Sequence, residues 1–321
     1  MKRLTGLLYS ADKLQITDAS LCGLQLDGVD PQALRAYYQA LLAFGIASIQ
    51  VPWNAVALLT PVIEPERTVL SVPEGCRAAP SGFAGYLSTN EGMPGAIIEC
   101  ALGNSLPTFA QEIRWTADES LFFADYAAEF SRLAHDSRCG FCPRDAGEAG
   151  TALAVEWLLA GGQRLTAAFM GTGGYAPLEE VLAALHVYGM LPPSVQLMKL
   201  PDIARAYTRL TKTAIPAHKA VIGSTLFNVE SGVHVDGIAK NRQCYEPFAP
   251  EAVGAARNII IGKHSGKQAL KLKLEELGLN CVTDLDRLLH LVREQSLCDG
   301  GGLSDDTFAS LAKKAAGGDA A

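Results

Sequence analysis

The closest pair of redox- or metal-competent side chains in the sequence is Cys139-Gly-Phe-Cys142. Such a pair can cycle as a dithiol or supply half of a zinc site, but either use draws on further groups, and no second pair or histidine cluster accompanies it. Packing within a strand is the favoured reading. Asp18 lies near the end of a short alternating apolar run, Leu14 to Ser20. An aspartate at a strand end more often caps or turns the chain than binds a metal. Cys22, Cys142 and Asp145 can meet only through the fold, and nothing in their spacing requires it. Six histidines, at 135, 186, 218, 234, 264 and 290, are scattered, and Lys263-His264-Ser265-Gly266 reads as a turn into a helix with Ser265 as its cap.

Segments with strand character alternate with helices carrying start and stop signals. Asp30-Pro31 opens a helix that Gly45 closes, with Leu34, Tyr37, Tyr38, Leu41 and Leu42 on its apolar face, and Ile46 to Val51 follows as a strand. Thr68 to Val72, Ala96 to Leu102, Arg138 to Cys142 and Arg164 to Met170 read as further strands. Helices are expected over Glu119 to His135 behind an Asp118 cap, Thr151 to Ala160, and Leu178 to Tyr188 ended by Gly189. This β-α-β grammar implies a parallel sheet. Two stretches rich in Pro, Gly and Ser, 52 to 67 and 73 to 95, interrupt it. Beyond them, Lys267 to Leu277 and Asp284 to Glu294 are helices, the second capped by Thr283 with a packing stripe of Leu285, Leu288, Leu289 and Val292.

With 321 residues, 49% hydrophobic and 19% charged, the chain can bury a large core. A net charge of −7 without a long basic block argues against a nucleic-acid partner. The N-terminus has only a broken apolar run before Asp12, and no stretch approaches the roughly 18 apolar residues of a membrane span, so a cytoplasmic protein without membrane contact is expected. The eight cysteines lack the spacing of a disulfide scaffold and are expected to be mostly reduced and buried.

Residues 223 to 270 carry the densest pattern: Gly-Ser-Thr-Leu-Phe-Asn-Val-Glu-Ser-Gly-Val-His-Val-Asp-Gly, then Cys-Tyr-Glu-Pro-Phe-Ala-Pro-Glu, then Ile-Ile-Ile-Gly-Lys-His-Ser-Gly-Lys. This resembles the segment that follows the barrel in the homocitrate synthase and 2-isopropylmalate synthase family, especially the nitrogenase-associated homocitrate synthases of nitrogen fixation. The resemblance implies an α/β chain: a (β/α)8 TIM-type barrel followed by a small α-rich subdomain. Only about 215 residues precede that segment, against roughly 250 for a usual barrel, and six or seven strands can be counted. The barrel, residues 1–215, is therefore expected to be shortened or incompletely closed. Residues 216–314 form the crossing or lid subdomain, and 315–321 a disordered tail.

The family joins acetyl-CoA to a 2-oxo acid, using a divalent metal to polarise the ketone, a base to take the methyl proton and a cation to steady the alkoxide. By resemblance, Asp18 retains a metal-ligand position, but Cys22 stands where the family has Arg. Phe141-Cys142-Pro143 stands where it has His-x-His, and Gly171-Thr172-Gly173-Gly174-Tyr175 has lost a Glu, an Arg and an Asn. Metal binding is thus expected to be weak or absent. His234 and Tyr245 match the family's base or proton-relay residues, which cross to a neighbouring protomer. Two main readings follow. One is a divergent transferase using acetyl-CoA and a 2-oxo acid, impaired alone. The other is a pseudoenzyme that forms a homo-oligomer or pairs with an intact homologue. A non-catalytic ligand-binding α/β protein stands outside both.

Overall fold

The computed structural model describes residues 11–76, 79–107, 110–117, 121, 125–144, 149–230, 234, 237–238, 240–279, 282 and 284–317. The chain divides into two compact units: Met1–Pro216 with Ala220–Ile222, and Ala217–Lys219 with Gly223–Ala321.

The first unit is a closed parallel barrel of eight strands in sequence order. They are β1 (Gln15–Asp18), β2 (Ser48–Pro52), β3 (Thr68–Ser71), β4 (Gly85–Leu87), β5 (Ala96–Ala101), β6 (Glu112–Ala117), β7 (Cys139–Pro143) and β8 (Arg164–Ala167). Closure is explicit in the register: β1 pairs with β2 through Thr17 and Ser48, and with β8 through Thr17 and Thr166. The barrel is short in chain length but complete, so the expected open edge does not exist. Two strands lay outside the sequence expectation, β4 in the Pro/Gly-rich stretch and β6 just before the stretch read as a helix.

Length is saved in the connections. Among the described residues no α-helix links β3 to β4, β4 to β5 or β5 to β6. Elsewhere the helices keep their signals. In α1 (Pro31–Phe44) Asp30 accepts the Gln32 amide at 2.9 Å, and Gly45 at φ 93° ends the helix in the left-handed region. Tyr37, Tyr38 and Leu41 are fully buried. The expected long helix from Glu119 is shorter: α2 spans Tyr126–Leu133, with Asp125 rather than Asp118 as its cap, and Asp118 lies outside the described residues. Next come α3 (Gly150–Leu159), α4 (Leu178–Tyr188) and α5 (Leu200–Thr211), the last not anticipated from sequence.

The second unit pairs β9 (Asn228–Val229) with β10 (Asn258–Ile259) and packs three helices, α6 (Lys267–Glu276), α7 (Leu285–Asp299) and α8 (Asp305–Ala316). Ile261, Leu270, Leu288, Val292 and Phe308 form its core. Ser265 does not cap α6: its hydroxyl accepts the Gly262 amide at 3.0 Å, tightening the preceding turn. Asp284, not Thr283, caps α7 by accepting the Arg287 amide at 2.9 Å, and Thr283 lies outside the described residues. Ala315, expected to open a disordered tail, is instead buried inside α8. Residues 318–321 are outside the described set.

Candidate functional site

Side chains alternate across a strand, so the faces of the barrel can be assigned from one lumen residue per strand. Thr17, Ser48, Val69, Glu112, Arg114, Gly140 and Thr166 line a cavity of about 340 Å³ in the lumen. It lies toward the amino ends of the strands, where Gln15, Ser48, Glu112 and Arg164 are first residues. Barrel enzymes use the opposite, carboxyl-terminal face.

Because Thr17 faces the lumen, Asp18 faces outward, in register with Ile49 of β2 and Ala167 of β8. It is fully buried beneath the helix layer. One carboxylate oxygen accepts the Ser20 amide at 3.0 Å. The other accepts the Ser20 hydroxyl at 2.7 Å and the Phe169 amide at 3.1 Å. Burial pushes the Asp18 carboxyl up to about 6, opposed by these bonds and assisted by the nearby Glu179. Glu179 is itself buried and accepts the Met170 amide at 2.9 Å. The two acids therefore anchor successive amides of the loop after β8, in which Met170 holds φ 62°. This is a fastening, and it turns the expected metal-ligand position of Asp18 away from the lumen.

The same alternation corrects the alignment at β7. Phe141 points outward into an aromatic cluster, 4.8 Å from Phe130 and 5.5 Å from Trp157 between ring centroids. Pro143, two residues on, shares that face, so neither residue stands at the lumen. Cys142 is the lumen-side residue, and it is buried with Ala19, Ala168 and Tyr175. The Arg144 guanidinium lies 5.1 Å from the centroid of the Tyr175 ring. At the other end of the pair, the Cys139 sulfur accepts the Trp115 indole N–H at 3.2 Å. The two thiols thus face opposite sides of one strand, which excludes a dithiol site and bears out strand packing. Asp145 lies outside the described residues. Of the cysteines described, only Cys139 and Cys142 are buried, while Cys244 and Cys298 are exposed.

Cys22 sits in the short turn Ser20–Gly23 above β1, its sulfur 3.5 Å from the Ser71 hydroxyl and 3.7 Å from the Gln50 carbonyl. Burial pushes this thiol up, which leaves it protonated and poorly nucleophilic. From Ser71 a polar chain crosses the lumen through buried Gln50 and Arg114 to the more exposed Glu99: Gln50 donates to Ser71 at 2.8 Å, and Arg114 donates to Gln50 at 2.5 Å and to Glu99 at 2.5 and 2.9 Å. Sequence reading missed Arg114. The alternation Glu112-Ile-Arg-Trp-Thr, charged inward and apolar outward, was the signal available.

A divalent ion of the kind the family employs does not fit these residues. Both Asp18 oxygens are engaged from the outer face, the adjacent lumen-side side chains are Ala19, Cys142 and Tyr175, and among the described residues no three His, Cys, Asp or Glu side chains converge.

In the second unit the two residues singled out from sequence meet. His234 and Tyr245 are both exposed, with ring centroids 5.6 Å apart and planes inclined at 67°, an edge-to-face pair.

Residues 221–295 match a family described as "Homocitrate synthase post-HMGL domain-like". The chain is 34% identical over 198 residues to the homocitrate synthase omega subunit of Clostridium pasteurianum, covering 61% of this chain and 54% of that protein. It is 40% identical over 157 residues to (R)-citramalate synthase of Methanocaldococcus jannaschii, covering 48% and 32%. To a 2-isopropylmalate synthase of Shouchella clausii it is 35% identical over 171 residues, covering 51% and 33%. Over about half its length the chain is similar to homocitrate, citramalate and 2-isopropylmalate synthases. It spans about half or less of the length of these curated relatives. No described helix is long and apolar enough to cross a membrane.

Proposed function

We propose that this chain does not condense acetyl-CoA with a 2-oxo acid by itself, and that it serves as the partner of an intact homologue, to which its second unit supplies His234 and Tyr245. The observation that carries this reading is the contrast between the two units. In the barrel, Asp18 is turned to the helix layer and Cys142, Ala19, Ala168 and Tyr175 fill the lumen beside it. In the second unit, an imidazole and a phenol stand together on an exposed surface. A solvent-facing pair of proton-handling groups, in a chain whose barrel residues do not suit a metal, fits a site completed by another chain. The relative from Clostridium pasteurianum, named as one subunit of a homocitrate synthase, supports an assembly of this kind. The expected oligomer rests on this crossing role alone, since the closed barrel exposes no edge strand.

The test is thiol release from acetyl-CoA with 2-oxoglutarate or 2-oxoisovalerate, in the presence of Mg²⁺, Mn²⁺ or Zn²⁺. Background rates are expected from the purified chain alone. Steady metal-dependent release that survives further purification would establish an autonomous transferase and remove the partner reading.

A further inference from the structure

The Tyr245 ring, although 45% exposed, packs on the chain beside it. A Cβ placed on Gly237 would fall 2.3 Å from Tyr245 Cζ and 2.4 Å from both Cε2 and Oη. The phenol ring therefore lies directly on the Gly237 backbone. Gly237 is not among the residues at positive φ, so a side chain there would displace the Tyr245 ring and would not strain the backbone. Gly237, Ile238 and Lys240 are helical, with the Asn241 amide donating to the Gly237 carbonyl at 2.8 Å, and the chain then turns, the amides of Tyr245 and Glu246 both donating to the Arg242 carbonyl at 3.0 Å.

The residue after Tyr245 is fixed from the other side. Arg257 forks onto Glu246, with Nε to Oε1 at 2.5 Å and Nη2 to Oε2 at 2.8 Å. Both side chains are largely buried, at 17% and 9% exposure, and Arg257 immediately precedes β10. Two parallel charge-assisted bonds of this type fix orientation as well as distance. The Tyr245 ring thus rests on the Gly237 backbone and lies edge-on to His234, and the carboxylate that follows it in sequence is anchored beside the strand pair.

We propose that Gly237 and the Glu246–Arg257 pair are positioning residues that present the Tyr245 hydroxyl and the His234 imidazole as one preorganised unit. This rests on the proposed role of the two residues at a partner's site. Preorganisation matters for such a pair, since a catalytic group displaced by an ångström loses much of its effect.

The experiment uses the full chain with isotope-labelled His and Tyr. It reads the nuclear Overhauser contact between the Tyr245 ring and the His234 imidazole, alongside rescue of an intact homologue that lacks its own equivalent histidine. For Gly237→Ala the contact should disappear and rescue should fall by about tenfold or more, with thermal unfolding of the chain retained. Arg257→Lys, which keeps the charge but loses the fork, should weaken the contact and give intermediate rescue, and it serves if Gly237→Ala fails to fold. A contact that persists in both variants would overturn the positioning claim. A lost contact with undiminished rescue would instead remove the functional role of the pair. Failure of the wild type to rescue would count against the proposed function, while the Overhauser arm still decides the positioning.

Discussion

Gly23 and Gly173 pack backbone against backbone: a Cβ on Gly173 would lie 2.6 Å from the Gly23 Cα, and one on Gly23 would lie 2.8 Å from the Gly173 Cα. The turn after β1 and the loop after β8 therefore meet with no room between them. At this point the two stretches meet through main chain alone.

Alanine at either glycine should destabilise the barrel by about 1–3 kcal/mol through overpacking. Gly173, at φ 75°, should be the more costly because it adds backbone strain. Urea denaturation of Gly23→Ala and Gly173→Ala checks this. Wild-type midpoints in both would mean that the two loops separate in solution.

Asp18 gives a pH signature. Its folded value near 6 lies above the 3.8 of an unperturbed aspartate, so the unfolded chain releases this proton more readily. Its contribution to stability is fully present below pH 3.8 and is lost as pH rises through 6. A shift of this size corresponds to about 3 kcal/mol. The stability of the wild type relative to Asp18→Asn should therefore fall by roughly that amount between about pH 4 and pH 8. A difference independent of pH would show that Asp18 is hydrated in the folded state.

Much of the barrel was legible because helix ends are written locally. The Asp30-Pro31 start and Gly45 stop of α1, and the Gly189 stop of α4, are side-chain and torsion effects within a few residues. β4 was hidden because three residues carry no period, and β6 because its lumen face is charged where parallel strands are usually apolar on both sides. The direction of Asp18 could not be read either. It depends on strand phase, since a shift of one residue exchanges lumen for helix layer, and only pairing to Ile49 and Ala167 fixes that phase. The meeting of His234 with Tyr245 bridges a turn whose shape comes from Gly237 and the Glu246–Arg257 pair, which residue types alone do not reveal.

Metal titration separates a ligand from a fastening. Calorimetry with Mn²⁺ should give weak binding, and Asp18→Asn should leave the isotherm unchanged, because the carboxylate is already engaged by Ser20 and Phe169. A stoichiometric site abolished by that substitution would mean that Asp18 turns into the lumen.

The most direct measurement is complementation. This chain is mixed with an intact homocitrate-synthase relative whose own equivalent histidine has been replaced, and condensation of acetyl-CoA with 2-oxoglutarate is followed. Rescue by the wild type, lost with His234→Ala and reduced with Tyr245→Phe, is the predicted result. Equal rescue by wild type and His234→Ala, or no detectable complex between the two chains, would contradict the crossing role.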